Sequence, residues 1–272
     1  MTEEQKSLQW LSAILDILRH DCPWDSVQTI DSLRYLTIEE VYELSEAIIA
    51  HRADDMCKEL GDLFMHLLFY GKIAADEGLF TVADVLDGIC RKLISRHPHI
   101  ALPDREGTLR PASVDTVPKW EQVKMKEGRR SVLEGVPASL PPLVKAIRLQ
   151  EKAAGVGFEF ATVADAVGKA EEEYGEFVDA LKEVDTACGE QAVGAAKAHA
   201  EEELGDLLFA IVKWGRLAGL NADDALARAN SKFQYRFAHV EEAARQQGRS
   251  IQQLSLQEME QLWNEAKQTD KQ

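Results

Sequence analysis

Apolar residues recur every three or four positions along most of the chain, whereas alternation with a period of two is hard to find. The first spacing places apolar side chains on one face of an α-helix, and the second is what a half-buried strand needs. Helix-favouring residues (Glu, Ala, Leu and Lys) are also abundant. The pattern therefore predicts an all-α fold.

Prolines divide this helical pattern in two. Of the eight prolines, seven lie between Pro98 and Pro142, where turn residues collect in "HPHIALPDREGTLRP" and "VPASLPP". At 272 residues the chain is long enough for two domains that each bury a core. We predict a first domain over residues 1–127 and a second over residues 128–272.

The two halves repeat four sequence blocks in the same order. The matching blocks are "EEVYELSEAI" (39–48) with "EEEYGEFVDAL" (171–181), "ELGDLF" (59–64) with "ELGDLL" (203–208), "KLISRHPHI" (92–100) with "KFQYRFAHV" (232–240), and "WEQVK" (120–124) with "WNEAK" (263–267). Two copies are too few for a solenoid. The repeat therefore indicates a duplicated helical domain.

Four acidic residues of the first half are predicted to meet across a helical hairpin. Glu40 with Glu43, and Glu59 with Asp62, lie three residues apart, so each pair shares one helix face. The segment "AHRADD" between the pairs predicts a tight turn. Glu43 and Glu59 are each eight residues from position 51, and Glu40 and Asp62 are each eleven. In an antiparallel hairpin they would stack as two rungs of facing carboxylates.

The second half keeps this symmetry over a longer connection. Glu173, Glu176, Glu203 and Asp206 again form two pairs that are equidistant from one centre. That centre lies in "DTACGEQAVGAAKAHA" (185–200), which is predicted to be either a loop or a helix extension, longer by eleven residues than its counterpart.

These acids have two interpretations. In a chain with 47 acids most acidic pairs are solvated helix faces, but the same four positions are acidic in both halves. Clustered carboxylates raise one another's pKa and destabilise the fold unless a cation neutralises them. Hard oxygen ligands suit Mg²⁺, and no His or Cys recurs with the acids as zinc would require. His66, whose counterpart is Ala210, is interpreted as a core histidine.

Basic residues follow the acids in both halves. Lys232 with Arg236, and Lys92 with Arg96, are four apart and project from one helix face. Lysine is a point charge for phosphate and arginine a bidentate fork, so each pair is either a polyphosphate clamp or an ordinary solvated face. Trp263, four residues before Lys267, either contacts substrate or anchors the core beneath the lysine stem.

Composition limits the partners and the location. The net charge of −16 argues against a nucleic-acid binder, because phosphate backbones are held by basic surfaces. The longest apolar stretches are broken by His66 and Lys213 and are too short to cross a membrane. No secretory pattern opens the sequence, which predicts a cytoplasmic protein. Four cysteines without zinc or CxxC spacing predict buried or inert thiols.

The motif EExxE…ExxD, present twice, resembles the MazG nucleoside triphosphate pyrophosphohydrolases. Further similar blocks follow in the family's order, namely "CPWDSVQTIDSLRYLTIEE", "RHPH", "LEGVPASLPPLVKAIRLQEKAAGVGFEF" and "ELGDLLFA". The resemblance runs nearly end to end. It implies duplicated MazG-like domains built of antiparallel helical bundles, a homodimer, and hydrolysis of NTPs and dNTPs to the monophosphate and pyrophosphate with Mg²⁺, or Mn²⁺ in its place.

By motif position, the resemblance also implies which residues act. The implied metal ligands of the first copy are Glu40, Glu43, Glu59 and Asp62. Those of the second copy are Glu173, Glu176, Glu203 and Asp206, and these four are also the implied catalytic residues. The implied substrate-binding residues are Lys169, Glu172, Lys232, Arg236, Trp263 and Lys267, with Lys92 and Arg96 in the first copy. The Ala/Gly-rich "CGEQAVGAAKAHA" departs from the family pattern. The loop contacts to the nucleotide that the family pattern implies therefore do not carry over to this segment.

The second copy is predicted to be the main catalytic one. Pro98 should end the first-copy helix just after Arg96, whereas the second-copy helix can continue beyond Arg236. In the expected mechanism a carboxylate takes a proton from water, while Lys232 and Arg236 stabilise the leaving pyrophosphate. Two alternatives remain, a non-catalytic nucleotide sensor or dimerisation scaffold, and a phosphohydrolase for another pyrophosphate-linked nucleotide such as phosphoribosyl-ATP or a modified dNTP.

Overall fold

The computed structural model describes residues 1–114 and 130–269. The chain divides into two compact units, Met1–Pro118 and Lys119–Gln272. The domain boundary predicted between residues 127 and 128 lies outside the described residues and stays a prediction.

The first unit is helical, as predicted. Its helices are α1 (Glu3–Asp21), α2 (Ile30–Ile49), α3 (Ala53–Asp76) and α4 (Val82–Arg96), with a 3₁₀ turn at Asp25–Val27. Two strands of two residues each, β1 (Leu102–Pro103) and β2 (Leu109–Arg110), pair antiparallel after α4. Thr2, Thr29 and Thr81 begin α1, α2 and α4 with capping boxes, in which each threonine side chain accepts a backbone N–H of the first turn.

Helices α2 and α3 form the predicted hairpin. Only residues 50–52 connect them, and His51 adopts a left-handed conformation there (φ 54°). On the inner face of α3, Phe69 and Ile73 are buried with Leu33 of α2 and Leu15 of α1. His66 is 4% exposed, which confirms it as a core histidine, and its Nδ1 lies 3.2 Å from the hydroxyl of Thr37.

The second unit repeats the hairpin with longer arms. Its helices are α5 (Pro142–Gly155), α6 (Val163–Thr186), α7 (Glu190–Leu217), α8 (Ala222–Gln246) and α9 (Leu256–Thr269), with a 3₁₀ turn at Ile251–Gln253. The connection between α6 and α7 is again three residues, 187–189, where Gly189 has φ 90°. Of the two structures predicted for residues 185–200, the helix extension is therefore the observed one.

Two buried polar side chains attach α5 to its surroundings. Lys152, 4% exposed, donates to the carbonyls of Val132 and Glu134 at 3.1 and 2.9 Å. Gln150 donates to the carbonyl of Phe209 at 2.8 Å. Both lie in the "RLQEKAAGVGFEF" block, so at least part of that sequence signature holds the second unit together.

Burial, one of the two alternatives predicted for the cysteines, is not observed. Cys57, Cys90 and Cys188 are exposed and Cys22 is partly buried, and all four are free thiols. Cys57 and Cys90 lie on outward helix positions and Cys188 in the α6–α7 turn, where packing does not enclose a side chain.

Across the described residues, no helix is long and apolar enough to cross a membrane.

Helix α4 approaches α3 at Gly71, and we expect Gly71→Ala to destabilise the first unit. A Cβ there would meet the side chain of Val82 and lie 3.3 Å from its Cα. Overpacking of this kind costs about 1–3 kcal/mol, which should exceed the helix-propensity gain of about 1 kcal/mol. Gly88→Ala, in open space on α4, is the matched control and should be stabilising. Urea midpoints measure both, and a stabilised Gly71→Ala would contradict the close packing.

Candidate functional site

Three carboxylates converge on the inner side of the second hairpin. Glu173 and Glu176 on α6 and Glu203 on α7 each offer an oxygen, and these oxygens all lie within 4.8 Å of one another. Glu173 is buried, Glu203 is half-buried and Glu176 is exposed. We call this group the second cluster. It is open to solvent at Glu176.

The first hairpin carries the equivalent group. Glu40 and Glu43 on α2 and Glu59 on α3 meet the same 4.8 Å criterion, and Glu40 and Glu59 are half-buried. We call this group the first cluster. The three-residue turn places the arms in the register that the sequence predicts, so side chains equally distant from the turn come together.

The fourth acid of each predicted set lies outside its cluster. Asp62 is half-buried, and its charge still raises the pKa of Glu40. Asp206 is exposed. Each predicted set of two rungs is therefore observed as three converging glutamates, with the aspartate outside the group.

Glu40 and Glu43 of the first cluster and Glu176 of the second have raised pKa values. Desolvation, followed by the charges of Asp62 and Glu43, raises the pKa of Glu40. Repulsion from Glu59 is the main cause of the raised pKa of Glu43. Desolvation and then the charges of Glu173 and Glu203 raise the pKa of Glu176. Each cluster would therefore be stabilised by a cation.

Two basic side chains contact the second cluster. Lys169 Nζ lies 2.7 Å from an oxygen of Glu172 and 2.7 Å from one of Glu173, and hydrogen bonds to these two acids raise its pKa. His199 places Nε2 3.3 Å from Glu203 and Nδ1 3.1 Å from Glu183. Its pKa is raised, mainly by the hydrogen bond with Glu183.

His199 is not among the residues predicted from the sequence. The prediction relied on residue types that recur in both copies, and the position of the first copy equivalent to His199, four residues before Glu59, is Asp55. Its position four residues before Glu203 is the signal that could have found it, because side chains at that spacing are neighbours on a helix.

Of the predicted substrate-binding residues of α8 and α9, Arg236 and Trp263 lie beside each other. Arg236 is half-buried with its guanidinium 5.6 Å from the ring centre of Trp263, and Phe233 lies 5.1 Å from the same ring. The two aromatic residues line a cavity of about 600 Å³ between α8 and α9. Lys232 and Lys267 are exposed. Trp263 also packs against the buried cluster of Val240, Ala244 and Leu254, so it serves at least as a core anchor.

The first-copy basic pair has a different environment. Lys92 is exposed, but Arg96 is only 8% exposed and ends α4, as the following proline predicts. In contrast, α8 continues to Gln246, ten residues beyond Arg236. Trp120 and Lys124, the counterparts of Trp263 and Lys267, lie outside the described residues.

The donor set of each cluster fits a hard divalent cation. Carboxylate oxygens are the ligands that Mg²⁺ prefers, at roughly 2.1 Å from the ion, and such a site keeps positions for water and phosphate. Three oxygens within 4.8 Å of one another need only small side-chain adjustments to surround one ion. Glu40, Glu43 and Glu59 would hold it in the first cluster, and Glu173, Glu176 and Glu203 in the second.

We expect Mg²⁺ to raise the unfolding temperature more at about pH 7.5 than at about pH 5. Glu40, Glu43 and Glu176 have raised pKa values in the folded chain, so their favourable contribution exists at low pH, where they are protonated. This contribution to stability is lost as the pH rises through the raised pKa values, and a bound cation then stabilises the fold in its place. Scanning calorimetry with MgCl₂ or EDTA at each pH measures the difference. Equal shifts at both pH values would contradict cation binding at these carboxylates.

Comparison with known proteins gives one consistent family. The model described as the MazG nucleotide pyrophosphohydrolase domain matches residues 28–101 and 162–241, and each range contains one cluster. The chain is 37% identical over 250 residues to the nucleoside triphosphate pyrophosphohydrolase of Escherichia coli strain K12, covering 90% of each chain. It is 35% identical over 262 residues to the nucleoside triphosphate pyrophosphohydrolase/pyrophosphatase MazG of Thermotoga maritima, covering 94% of each. It is also 40% identical over 253 residues to the uncharacterized protein YabN of Bacillus subtilis, covering 92% of this chain and 49% of that protein.

Proposed function

This chain belongs to the MazG nucleotide pyrophosphohydrolase family, and from that premise we propose that it hydrolyses NTPs and dNTPs to the monophosphate and pyrophosphate, using Mg²⁺ or Mn²⁺. The observation that carries the proposal is the second cluster, in which three glutamates converge beside a lysine on a solvent-open hairpin. That arrangement suits a metal-assisted attack of water on a polyphosphate.

The proposed mechanism assigns a role to each group of side chains. Glu173, Glu176 and Glu203 would hold the cation, which when bound would neutralise the triphosphate and lower the pKa of the attacking water. Glu176 is the exposed member with a raised pKa, and its second oxygen, which does not hold the cation, would accept the proton of that water. Lys232 and Arg236 stabilise the negative charge of the leaving pyrophosphate.

We assign the main activity to the second domain, proposed to span residues 128–272. Lys169 stands beside the second cluster, whereas the equivalent position of the first copy is Leu36. Arg236 lies within a long helix beside Trp263, whereas Arg96 is buried at a helix end. These differences support a structural or regulatory role for the first copy.

Products distinguish this proposal from its alternatives. Purified protein is incubated with each NTP and dNTP in MgCl₂, and the products are separated by ion-exchange chromatography. Monophosphate and pyrophosphate in equal amounts are expected. Unchanged nucleotide would favour a sensor or dimerisation scaffold, and orthophosphate release would overturn the proposed bond cleavage. A strong preference for phosphoribosyl-ATP or a modified dNTP would favour the narrower phosphohydrolase.

We also propose that the chain forms a homodimer through its hairpins. The same outward face is apolar in both copies, although monomeric proteins seldom expose large contiguous apolar patches. Its members, 39% to 63% exposed, are Val41, Leu60, Phe64 and Leu67 in the first hairpin and Tyr174, Leu204, Leu208 and Ile211 at the equivalent positions of the second. Analytical ultracentrifugation measures the oligomeric state, and a monomer at micromolar concentration would contradict the proposed dimer.

The net charge of −16 supports the further proposal that nucleic acid is not a partner.

A further inference from the structure

The two clusters differ in how their charge is neutralised. In the second cluster, Lys169 Nζ is 2.7 Å from Glu173, whose side chain is 10% exposed. Glu173 is the one buried carboxylate among the six glutamates of the two clusters. Its negative charge has little access to water, so the lysine is its principal counter-charge.

Among the residues that the structure describes, the first cluster has no such counter-charge. Across residues 1–114 and 130–269, no Lys, Arg or His forms an ion pair with Glu40, Glu43 or Glu59. Leu36, the counterpart of Lys169, packs against the core of the first unit instead. The charges that affect the pKa of Glu40 most are those of other acids, beginning with Asp62.

We propose that Lys169 is an internal counter-cation that blocks free divalent ions from the second cluster until a triphosphate arrives. This proposal rests on the function proposed above. The ammonium group competes with a divalent cation for the charge of Glu173 and repels it at close range. A triphosphate brings enough negative charge for both cations, and the flexible lysine stem lets the ammonium group move from Glu173 to a phosphate oxygen.

The proposal makes the two hairpins unequal towards a metal ion alone. The first cluster, with three glutamates and no basic partner among the described residues, should bind a free divalent ion more tightly than the second. The second cluster should accept its ion together with the nucleotide. Lys169 would thereby favour the metal–nucleotide complex over free metal as the species that binds.

Metal binding without nucleotide tests this directly. Mn²⁺ binding is followed by electron paramagnetic resonance in a Glu43→Gln background, which weakens the first cluster and leaves the second to be observed. Lys169→Met removes the charge while keeping the stem, and it should tighten Mn²⁺ binding by about tenfold. It should also weaken binding of a non-hydrolysable triphosphate analogue by about tenfold, because the phosphates lose a cation.

Two further variants make the result specific. Lys169→Arg keeps the positive charge and should keep Mn²⁺ binding weak. Lys182→Met removes a lysine of the same helix, which pairs with Asp179 rather than with the cluster, and should change neither affinity. Unchanged or weaker Mn²⁺ binding by a folded Lys169→Met protein would overturn the proposal. This readout involves no turnover, so a failure to release pyrophosphate would refute the proposed function separately.

Discussion

Replacing Glu176 by Gln is expected to lower pyrophosphate release by at least about a hundredfold, whereas Glu43→Gln at the equivalent position should lower it by less than about threefold. Residues that only support metal ligands typically cost 10–100-fold when replaced, so loss of a ligand should cost at least as much. Glutamine keeps the size of the side chain but removes both its charge and its ability to accept the proton of water. The measurement is the initial rate of pyrophosphate formation at saturating MgCl₂.

The comparison is informative because the two sites have matched positions. Both side chains are exposed members of a three-glutamate cluster, and both have raised pKa values. General effects on folding or charge should therefore be similar in the two variants. Equal loss of activity from both would refute the assignment of catalysis to the second copy, and a loss confined to Glu43→Gln would reverse it.

The helices and hairpins could be predicted because their determinants are local. Apolar periodicity marks the helical faces, and "AHRADD" supplies a turn between two such faces. Residues 185–200 were predicted to be either a loop or a helix extension, and the segment contains both Gly189 and Gly194 as turn residues. The turn uses Gly189 at positive φ, while Gly194 lies inside α7 among alanines that favour helix. Periodicity alone does not choose between two glycines five residues apart.

The sequence predicted which residues of the candidate site lie level on the two helices, but not which side chains are long enough to meet. Distance from the turn fixes which residues lie level on the two arms, and it correctly brings Glu43 beside Glu59 and Glu176 beside Glu203. It does not account for side-chain length. Aspartate is shorter than glutamate by one methylene group, which is consistent with the positions of Asp62 and Asp206 outside their clusters.

Environment also separated residues that the repeat treats as equal. Arg96 and Arg236 hold the same place in the matching blocks, but one is buried at the end of α4 and the other lies beside Trp263 in the middle of α8. Such differences depend on the packing of distant segments. A repeat within one sequence therefore predicts shared architecture more reliably than shared function.

Ile73→Ala is expected to lower the free energy of unfolding of the first unit by about 2–5 kcal/mol. Ile73 is fully buried and lies in one core cluster with Leu15, Leu33 and Phe69. Truncation would leave a cavity that these neighbours fill only in part. Denaturant unfolding followed by circular dichroism measures the loss. A loss below about 1 kcal/mol would contradict the burial of this residue.

Leu67→Ala, on the same helix, separates this core from the proposed dimer face. Leu67 is 63% exposed and belongs to the apolar face shared by the two hairpins. In a monomer its truncation should change stability by no more than about 0.5 kcal/mol. If a second copy covers the face, the loss of unfolding free energy caused by Leu67→Ala should instead grow with protein concentration, because association stabilises only the folded dimer. The Ile73→Ala cost should be the same at every concentration, and an equally constant cost for Leu67→Ala would argue against dimerisation through this face.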